Sequence, residues 1–362
     1  MLAGYVTIEV PELCLVVLIG AAGAGKSTFA AARFGPTEVV SSDACRALVA
    51  DREDDLSATP AAFEVLHLVV GLRLRRRRLT VVDAVNARPA DRQPLLRLAD
   101  EHHCAAVAIV LELPEAVCVA RAAARRGRRV GARPIAAQRA TIARSLPRLL
   151  DEGFAAVHVL GSAAEVESAA VRRVRLPVDR RRDRGPFDVI GPVEGRLGAL
   201  DALLARLGYP ADGGRHPAGR TAVFAGDLED GGPDAAGVRA RFDAMAAAGA
   251  ALAVRGDRDA APAGELPSHL VLAGGGLVVA HAGVPAAMQG RDTPRVTAVC
   301  LEGEPGWAEA YRGRALVVHG HEPVPCVRWE GRTLGLNGRG ALTALRHPEQ
   351  ELVSVPAPEP SP

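Results

Sequence analysis

The first 170 residues alternate short apolar runs with longer amphipathic stretches, a pattern that predicts parallel β-strands joined by helices. Leu13 to Ile19 (LCLVVLI) carries no charged or amide side chain and reads as a strand buried on both faces. Thr37 to Ser41, Leu79 to Asp83 and Ala105 to Leu111 read as further strands. Ser27 to Arg33, Pro60 to Arg78 and Arg88 to His103 read as helices between them. The βαβα order predicts an α/β fold with a parallel sheet and ligands at its carboxyl edge. From Val171 to Pro186 the chain is charged, bears proline and loses helical period, so the spacing predicts a linker there. Beyond it the strands shorten and the loops fill with Gly, Asp and His. The expected division is a first domain over 1–175, a charged linker over 176–186, a second α/β domain over 187–356 and a disordered tail over 357–362.

A chain of 362 residues accommodates two such domains. It shows no secretory signal, no lipidation motif and no apolar run long enough to span a bilayer, which predicts a cytoplasmic protein without membrane contact. The six cysteines (Cys14, Cys45, Cys104, Cys118, Cys300, Cys326) lack CxxC spacing and read as buried thiols, neither a zinc site nor a disulfide frame. The net charge of +2 hides an asymmetry: residues 1–176 carry 24 Lys+Arg against 19 Asp+Glu, and residues 177–362 carry 20 against 23. The first half is the one that attracts anions.

Lys26 is the only lysine beside 43 arginines, and it lies in Gly20-Ala-Ala-Gly23-Ala-Gly25-Lys26-Ser27, followed by Thr28. A phosphate-binding loop needs a compact point charge on a flexible stem, which arginine's planar fork does not supply. A buried strand before the loop and a helix after it are the context the GxxxxGK[ST] pattern requires. In that geometry the loop amides of Gly20, Gly23 and Gly25 cradle the phosphates of ATP, and the Ser27 hydroxyl binds the accompanying Mg²⁺.

Ser41-Ser-Asp43-Ala-Cys-Arg46 follows the second predicted strand. Two readings of it stand: Asp43 as the base that takes a proton from an attacking hydroxyl, with Arg46 on the same helical face holding a phosphate, or a helix N-cap supplied by Ser or Asp. Asp83 ends the third strand, close to the expected Mg²⁺ shell, and Asn86 and Arg88 follow. From Arg121 to Leu150 there are nine arginines and no acid, and Arg121, Arg125 and Arg128 share an i, i+4, i+7 face. An acid-free run of this kind predicts a lid that closes over polyphosphate. The cluster Arg73 and Arg75–Arg78 reads as a favourable helix C-terminus.

Taken together with Phe63-Glu-Val-Leu-His67, Thr80-Val-Val-Asp83-Ala-Val-Asn86 and Glu101-His-His-Cys104, these segments resemble the kinase module of the bacterial polynucleotide kinase-phosphatases of RNA repair. The resemblance implies transfer of the ATP γ-phosphate to a polynucleotide 5′-OH. Asp43 is then the general base, Arg46 the clamp on the acceptor strand, and Lys26, Arg121 and Arg125 stabilise the transferring phosphoryl group. The chain departs from the family at Val85, where Thr is usual, and at Ala122 and Ala123, where Asn and Arg are expected.

The second domain resembles the calcineurin-like metallophosphatase module of the same family, which holds two metals. Its segments read Asp188-Val-Ile-Gly-Pro192-Val-Glu194, Gly226-Asp227-Leu-Glu-Asp230-Gly231, Gly256-Asp257-Arg258-Asp259, Ala280-His281 and His319-Gly-His321. Pro192 and Glu194 stand where the resemblance places Asp and His ligands, Arg258 where it places a general acid, and Gly231 where it places a phosphate-clamping arginine. Asp227, Asp257, His281 and His321 remain as a set for one Mn²⁺. The resemblance therefore implies a degenerate phosphatase in which His281 and His321 persist as packed scaffold residues in preference to metal ligands. No counterpart of the family's ligase module is expected within these 362 residues, because their one lysine lies in the phosphate loop.

The combined expectation is an ATP- and Mg²⁺-dependent polynucleotide 5′-hydroxyl kinase acting on nucleic-acid ends, RNA before DNA, fused to an inactive phosphatase domain. A homodimer or a separate ligase partner is compatible with it. The rival readings are a P-loop kinase of a small metabolite, a nucleotide-regulated RNA-binding scaffold, and a residual single-metal phosphoesterase.

Overall fold

The computed structural model describes residues 6–124, 130–230, 232–259 and 266–357, and the chain divides after Leu176 into two α/β units. In the first unit the strands are β1 (Thr7–Pro11), β2 (Cys14–Gly20), β3 (Val39–Ser41), β4 (Thr80–Asp83), β5 (Ala105–Leu111), β6 (Ala156–Leu160) and β7 (Ala170–Val174). The helices are α1 (Lys26–Arg33), α2 (Ser42–Ala50), α3 (Thr59–Arg75), α4 (Pro89–Glu101), α5 (Glu115–Ala124), α6 (Ala132–Ser145) and α7 (Ala163–Ser168). Five strands form a parallel sheet in the order β3-β4-β2-β5-β6. Its central strand, β2, is buried at every position, as its unbroken apolar run requires. Register sets the carboxyl ends level: Asp83 pairs with both Leu18 and Ser41, and Gly20 pairs with Leu111.

The predicted strands and helices of this unit lie where the periodicity puts them, with ends moved by a few residues. Val171 to Val174, read as the start of a linker, is instead β7, paired in parallel with β1. Its arginines are tied by Arg172 to Glu9 and by Arg173 to Glu38, so a charged face hid a strand that buries little.

In the second unit the strands are β8 (Phe187–Ile190), β9 (Thr221–Phe224), β10 (Ala251–Ala253), β11 (His269–Leu272), β12 (Leu277–Ala280), β13 (Leu316–His319), β14 (Arg328–Glu330), β15 (Thr333–Gly335), β16 (Ala341–His347) and β17 (Glu351–Pro356). They form two five-stranded mixed sheets, β10-β9-β8-β16-β17 and β11-β12-β13-β15-β14. Val189 and Val223 of one sheet meet Val279, Val318 and Leu334 of the other in a shared core, a face-to-face sandwich. Helices α8 (Leu197–Leu207) and α9 (Ala235–Ala247) cover the outer face of the first sheet through Leu200, Leu203, Phe242 and Met245. Helix α10 (Pro294–Glu302) covers the second sheet through Val296, Val299 and Cys300.

The stretch 176–186, expected as a charged linker, is hydrogen-bonded structure. Val178 is buried, Arg180 N donates to Val271 O at 3.0 Å, and Val271 N donates to Val178 O at 2.9 Å. Two apolar side chains, Leu176 and Val178, hold it down despite its arginines. Ala357, expected in the tail, is buried and donates its N–H to Gly340 O at 2.9 Å; residues 358–362 lie outside the described residues. Five cysteines are buried free thiols as expected, but Cys326 is exposed.

Two constraints in the first unit generate testable outcomes. Arg92, on α4, is fully buried; its guanidinium donates to Glu152 at 2.8 and 2.5 Å and to the backbone oxygens of Asn86 and Ala87, both at 2.8 Å. Arg92→Met strips all four acceptors and is expected to cost about 3–5 kcal/mol, read from urea unfolding of the first unit; a loss below about 1 kcal/mol would show the pair to be dispensable. Gly23 has φ +80, and a Cβ there would lie 2.1 Å from Cys118 O of α5. Gly23→Ala must therefore push α5 off the β2–α1 loop, and nucleotide binding measured by calorimetry is expected to weaken at least tenfold; unchanged binding would show that α5 does not shape the loop.

Candidate active site

The β2–α1 loop turns sharply enough to need positive φ at Gly23 and Gly25, and it delivers Lys26 to the level carboxyl ends of the sheet. Lys26 is nearly buried, and its Nζ donates to Gly20 O at 2.8 Å and to Ala21 O at 3.0 Å. The loop's own base is fixed by Gly20 N donating to Val85 O at 3.2 Å. Asn86, at φ 50, donates Nδ2 to Leu18 O at 2.8 Å. Asp83 lies buried beside these groups at the end of β4.

Across the sheet edge, Ser41 caps α2 by accepting from the amides of Asp43 and Ala44. That settles which residue caps the helix. The Asp43 carboxylate instead pairs with Arg46 one turn on, whose Nε also donates to Glu53 O at 2.9 Å. Arg46 is thereby buried and fixed, while Asp43 stays partly open to solvent.

Lys26, Ser27, Thr28, Asp43, Arg46, Asp83 and Arg121 all line one cleft of about 1010 Å³, together with Gly23 and Gly25. Gly20 lies beneath it and contributes its carbonyl to Lys26. Arg121 reaches the loop from α5: a Cβ on Gly25 would sit 3.3 Å from its Nη1. Arg125 and Arg128, the rest of the expected lid face, lie outside the described residues. The cleft also takes in residues to which no motif assigned a role. Leu56 and Phe63 lie on the side of Asp43, and Arg33, Val166 and Glu167 on the side of α1 and α7. Glu167 stands 3.6 Å from Arg121, and Arg33 is held by Glu167 O and Ala169 O. No motif carries Glu167; only the return of the chain through α7 brings it to the loop.

The second unit gathers its expected metal residues on loops after four strands. His281 Nε2 lies 2.7 Å from Asp257 Oδ1, 3.0 Å from His321 Nδ1 and 3.5 Å from Asp227 Oδ2. Burial pushes the Asp227 carboxyl up to about 6, against the pull of His281. Burial also holds the neighbouring His319 imidazole down to about 4. The other half of the implied two-metal centre is differently built. Pro192 packs its ring on Gly320, where a Cβ would lie 2.4 Å from Pro192 Cγ. The Glu194 carboxylate pairs with Arg196 at 2.9 Å, and Arg258 Nη1 donates to Asp230 Oδ2 at 2.9 Å. Asp188, one strand away, is fully buried and bound to Arg220 and Tyr209, so its role is structural.

Comparison with known proteins agrees with this division. The sequence profile of the AAA domain family matches residues 15–149. The bis(5′-nucleosyl)-tetraphosphatase PrpE [asymmetrical] of Geobacillus thermodenitrificans is 32% identical over 233 residues, which are 48% of this chain and 95% of that protein. The protein of the same name from Bacillus subtilis is 33% identical over 231 residues, 47% of this chain and 94% of that protein. A solved structure assigned as a diadenosine tetraphosphatase is 25% identical, covers 50% of this chain and 97% of its own, and superposes with a TM-score of 0.40. The chain thus joins a P-loop kinase-like module to a calcineurin-like metallophosphatase-like module, and through its C-terminal region it belongs to the family of the PrpE asymmetrical bis(5′-nucleosyl)-tetraphosphatases.

Proposed function

We propose that the first unit is an ATP-dependent kinase that phosphorylates the 5′-hydroxyl end of a polynucleotide, and that the second unit does not hydrolyse phosphoesters. The observation that carries the first part is the shared cleft in which Lys26 and Ser27 face the Asp43–Arg46 pair. In-line transfer needs a phosphate cradle, a base and an anion clamp within one nucleotide's reach, and this cleft supplies all three. Asp43 accepts the proton of the attacking 5′-OH, the new O–P bond forms, and the bond to the β-phosphate oxygen breaks to release ADP. Lys26 and Arg121 neutralise charge on the phosphates as it shifts. Mg²⁺ bound with the nucleotide would fall to the Ser27 hydroxyl and Asp83, and its chemistry there is charge neutralisation. Leu56 and Phe63 give the acceptor side an apolar wall, and Arg46 and Arg88 give it cations, a combination suited to a base and its phosphate.

The non-hydrolytic reading of the second unit rests on Pro192, Glu194 and Arg258. Proline offers no side-chain ligand, Glu194 is engaged with Arg196, and an arginine cannot serve as a general acid at neutral pH. The relatives' name makes bis(5′-adenosyl) tetraphosphate the stringent substrate on which to check it.

The kinase test is transfer of labelled γ-phosphate from ATP to a 5′-OH RNA oligonucleotide. Asp43→Asn is expected to lower kcat by about 10²–10⁴ while leaving ATP affinity unchanged, and Lys26→Ala to abolish transfer. Wild-type activity should fall steeply between 50 and 200 mM salt, the mark of a polyanionic acceptor. ATP binding without transfer to RNA or DNA ends would sink this reading in favour of a small-metabolite kinase. In parallel, incubation with Mn²⁺ and either bis(5′-adenosyl) tetraphosphate or 3′-phosphate RNA is expected to release no phosphate or nucleotide above the no-enzyme control. Hydrolysis that survives in Lys26→Ala but vanishes in His281→Ala would overturn the second half.

A further inference from the structure

Asp227, Asp257, His281 and His321 follow β9, β10, β12 and β13; Asp257, His281 and His321 gather at one point, and an Asp227 oxygen lies 3.5 Å from His281 Nε2. The protonation of His281 decides what that point is for. Its Nδ1 lies 3.1 Å from the backbone oxygen of Ala225, and a carbonyl only accepts, so Nδ1 carries the proton. With Nδ1 so engaged, Nε2 is the ring nitrogen turned to the site, and without a second proton it presents a lone pair there. That lone pair faces an Asp257 oxygen at 2.7 Å, His321 Nδ1 at 3.0 Å and an Asp227 oxygen at 3.5 Å, in a site where His281 and Asp227 are buried. Lone pairs converging at such distances repel unless a cation joins them. One added proton on Nε2 serves a single neighbour and leaves the others unmatched, whereas a metal ion accepts all of them. An Nδ1–H bonded to a backbone carbonyl, with Nε2 turned to the site, is the arrangement that orients a ligating histidine. His321 is steadied in turn, since Asn337 Nδ2 donates to its backbone oxygen at 2.8 Å.

Among the described residues, the adjoining groups offer no second set. Pro192 presents a hydrocarbon ring packed on Gly320. Glu194 is neutralised by Arg196, and the Arg196 guanidinium also donates to the backbone oxygens of Val193, Pro192 and Ala357, which leaves it no freedom to release the carboxylate. Two ions, as the family resemblance implies, do not fit these residues; one does.

We propose that the second unit is a mononuclear centre: it binds one divalent ion on His281 Nε2, His321 Nδ1 and the carboxylates of Asp257 and Asp227, and the Pro192–Glu194–Arg196 segment shuts out a second. Two imidazoles and two carboxylates favour a borderline ion such as Mn²⁺ or Zn²⁺ over Mg²⁺ or Ca²⁺. The site is then a binding or structural centre, because hydrolysis by two bridged ions needs the partner that is missing.

The test uses the full chain, stripped with chelator and titrated with MnCl₂ in the absence of nucleotide. Calorimetry gives affinity, and elemental analysis after gel filtration gives the count. The expected result is one Mn²⁺ per chain, a rise in the melting temperature of the second unit on binding, and no displacement by tenfold excess Mg²⁺. His321→Ala and Asp257→Asn, both at partly exposed positions, are expected to weaken binding on the order of 100-fold while the metal-free protein melts as the wild type does. No bound Mn²⁺ in the stripped and retitrated wild-type chain would overturn the metal. Two ions per wild-type chain would overturn the closure by Pro192 and Glu194. A failed phosphoryl-transfer assay leaves this count untouched, so the two readings stand or fall separately.

Discussion

The buried guanidinium of Arg92 is the interaction on which the kinase-like site depends. It holds the backbone oxygens of Asn86 and Ala87 from below and is itself neutralised by Glu152. The segment so fixed reaches forward to the phosphate loop twice, through Val85 O to Gly20 N and through Asn86 Nδ2 to Leu18 O. A charge buried this completely is tolerable only when every donor is matched, and the match is what makes the loop's base rigid. Lys26 and Asp83, beside that segment, are then set by backbone held in place before any ligand arrives.

The second unit follows another logic. Its scaffold is the double sheet, and His281 is anchored to its core by Nδ1 donating to Ala225 O. Ligands at strand ends are free to change without cost to that core, and Pro192, Glu194 and Arg258 are such changes. Family membership through this region therefore carries the fold securely. The fold does not by itself fix the chemistry, which lives in the side chains on the strand-end loops. The charges there are paired, Glu194 with Arg196 and Arg258 with Asp230.

In the first unit much was legible along the chain. The apolar runs gave the strands, and the glycine spacing with the lone lysine gave the loop, because both are written in local periodicity and steric need. Less was legible where stability is marginal or non-local. Strand β7 hides in an arginine-rich segment because a two-stranded edge ribbon buries too little to leave an apolar pattern. The stretch 176–186 looked like a tether because its charges outnumber the two apolar residues that anchor it.

The sequence by itself determined the candidate groups: one lysine on a glycine loop, Asp43 and Arg46 a turn apart, and Asp227, Asp257, His281 and His321 on strand-end loops. Those are properties of residue type and short spacing. Only the tertiary structure decided that Ser41 rather than Asp43 caps α2, that Glu167 returns to meet Arg121, and that Glu194 pairs with Arg196 while Pro192 packs on Gly320. The reason is geometric. A hydrogen bond or an ion pair forms at about 3 Å whatever the separation along the chain, and a linear spacing does not say which distant loops the sheet will bring to that distance.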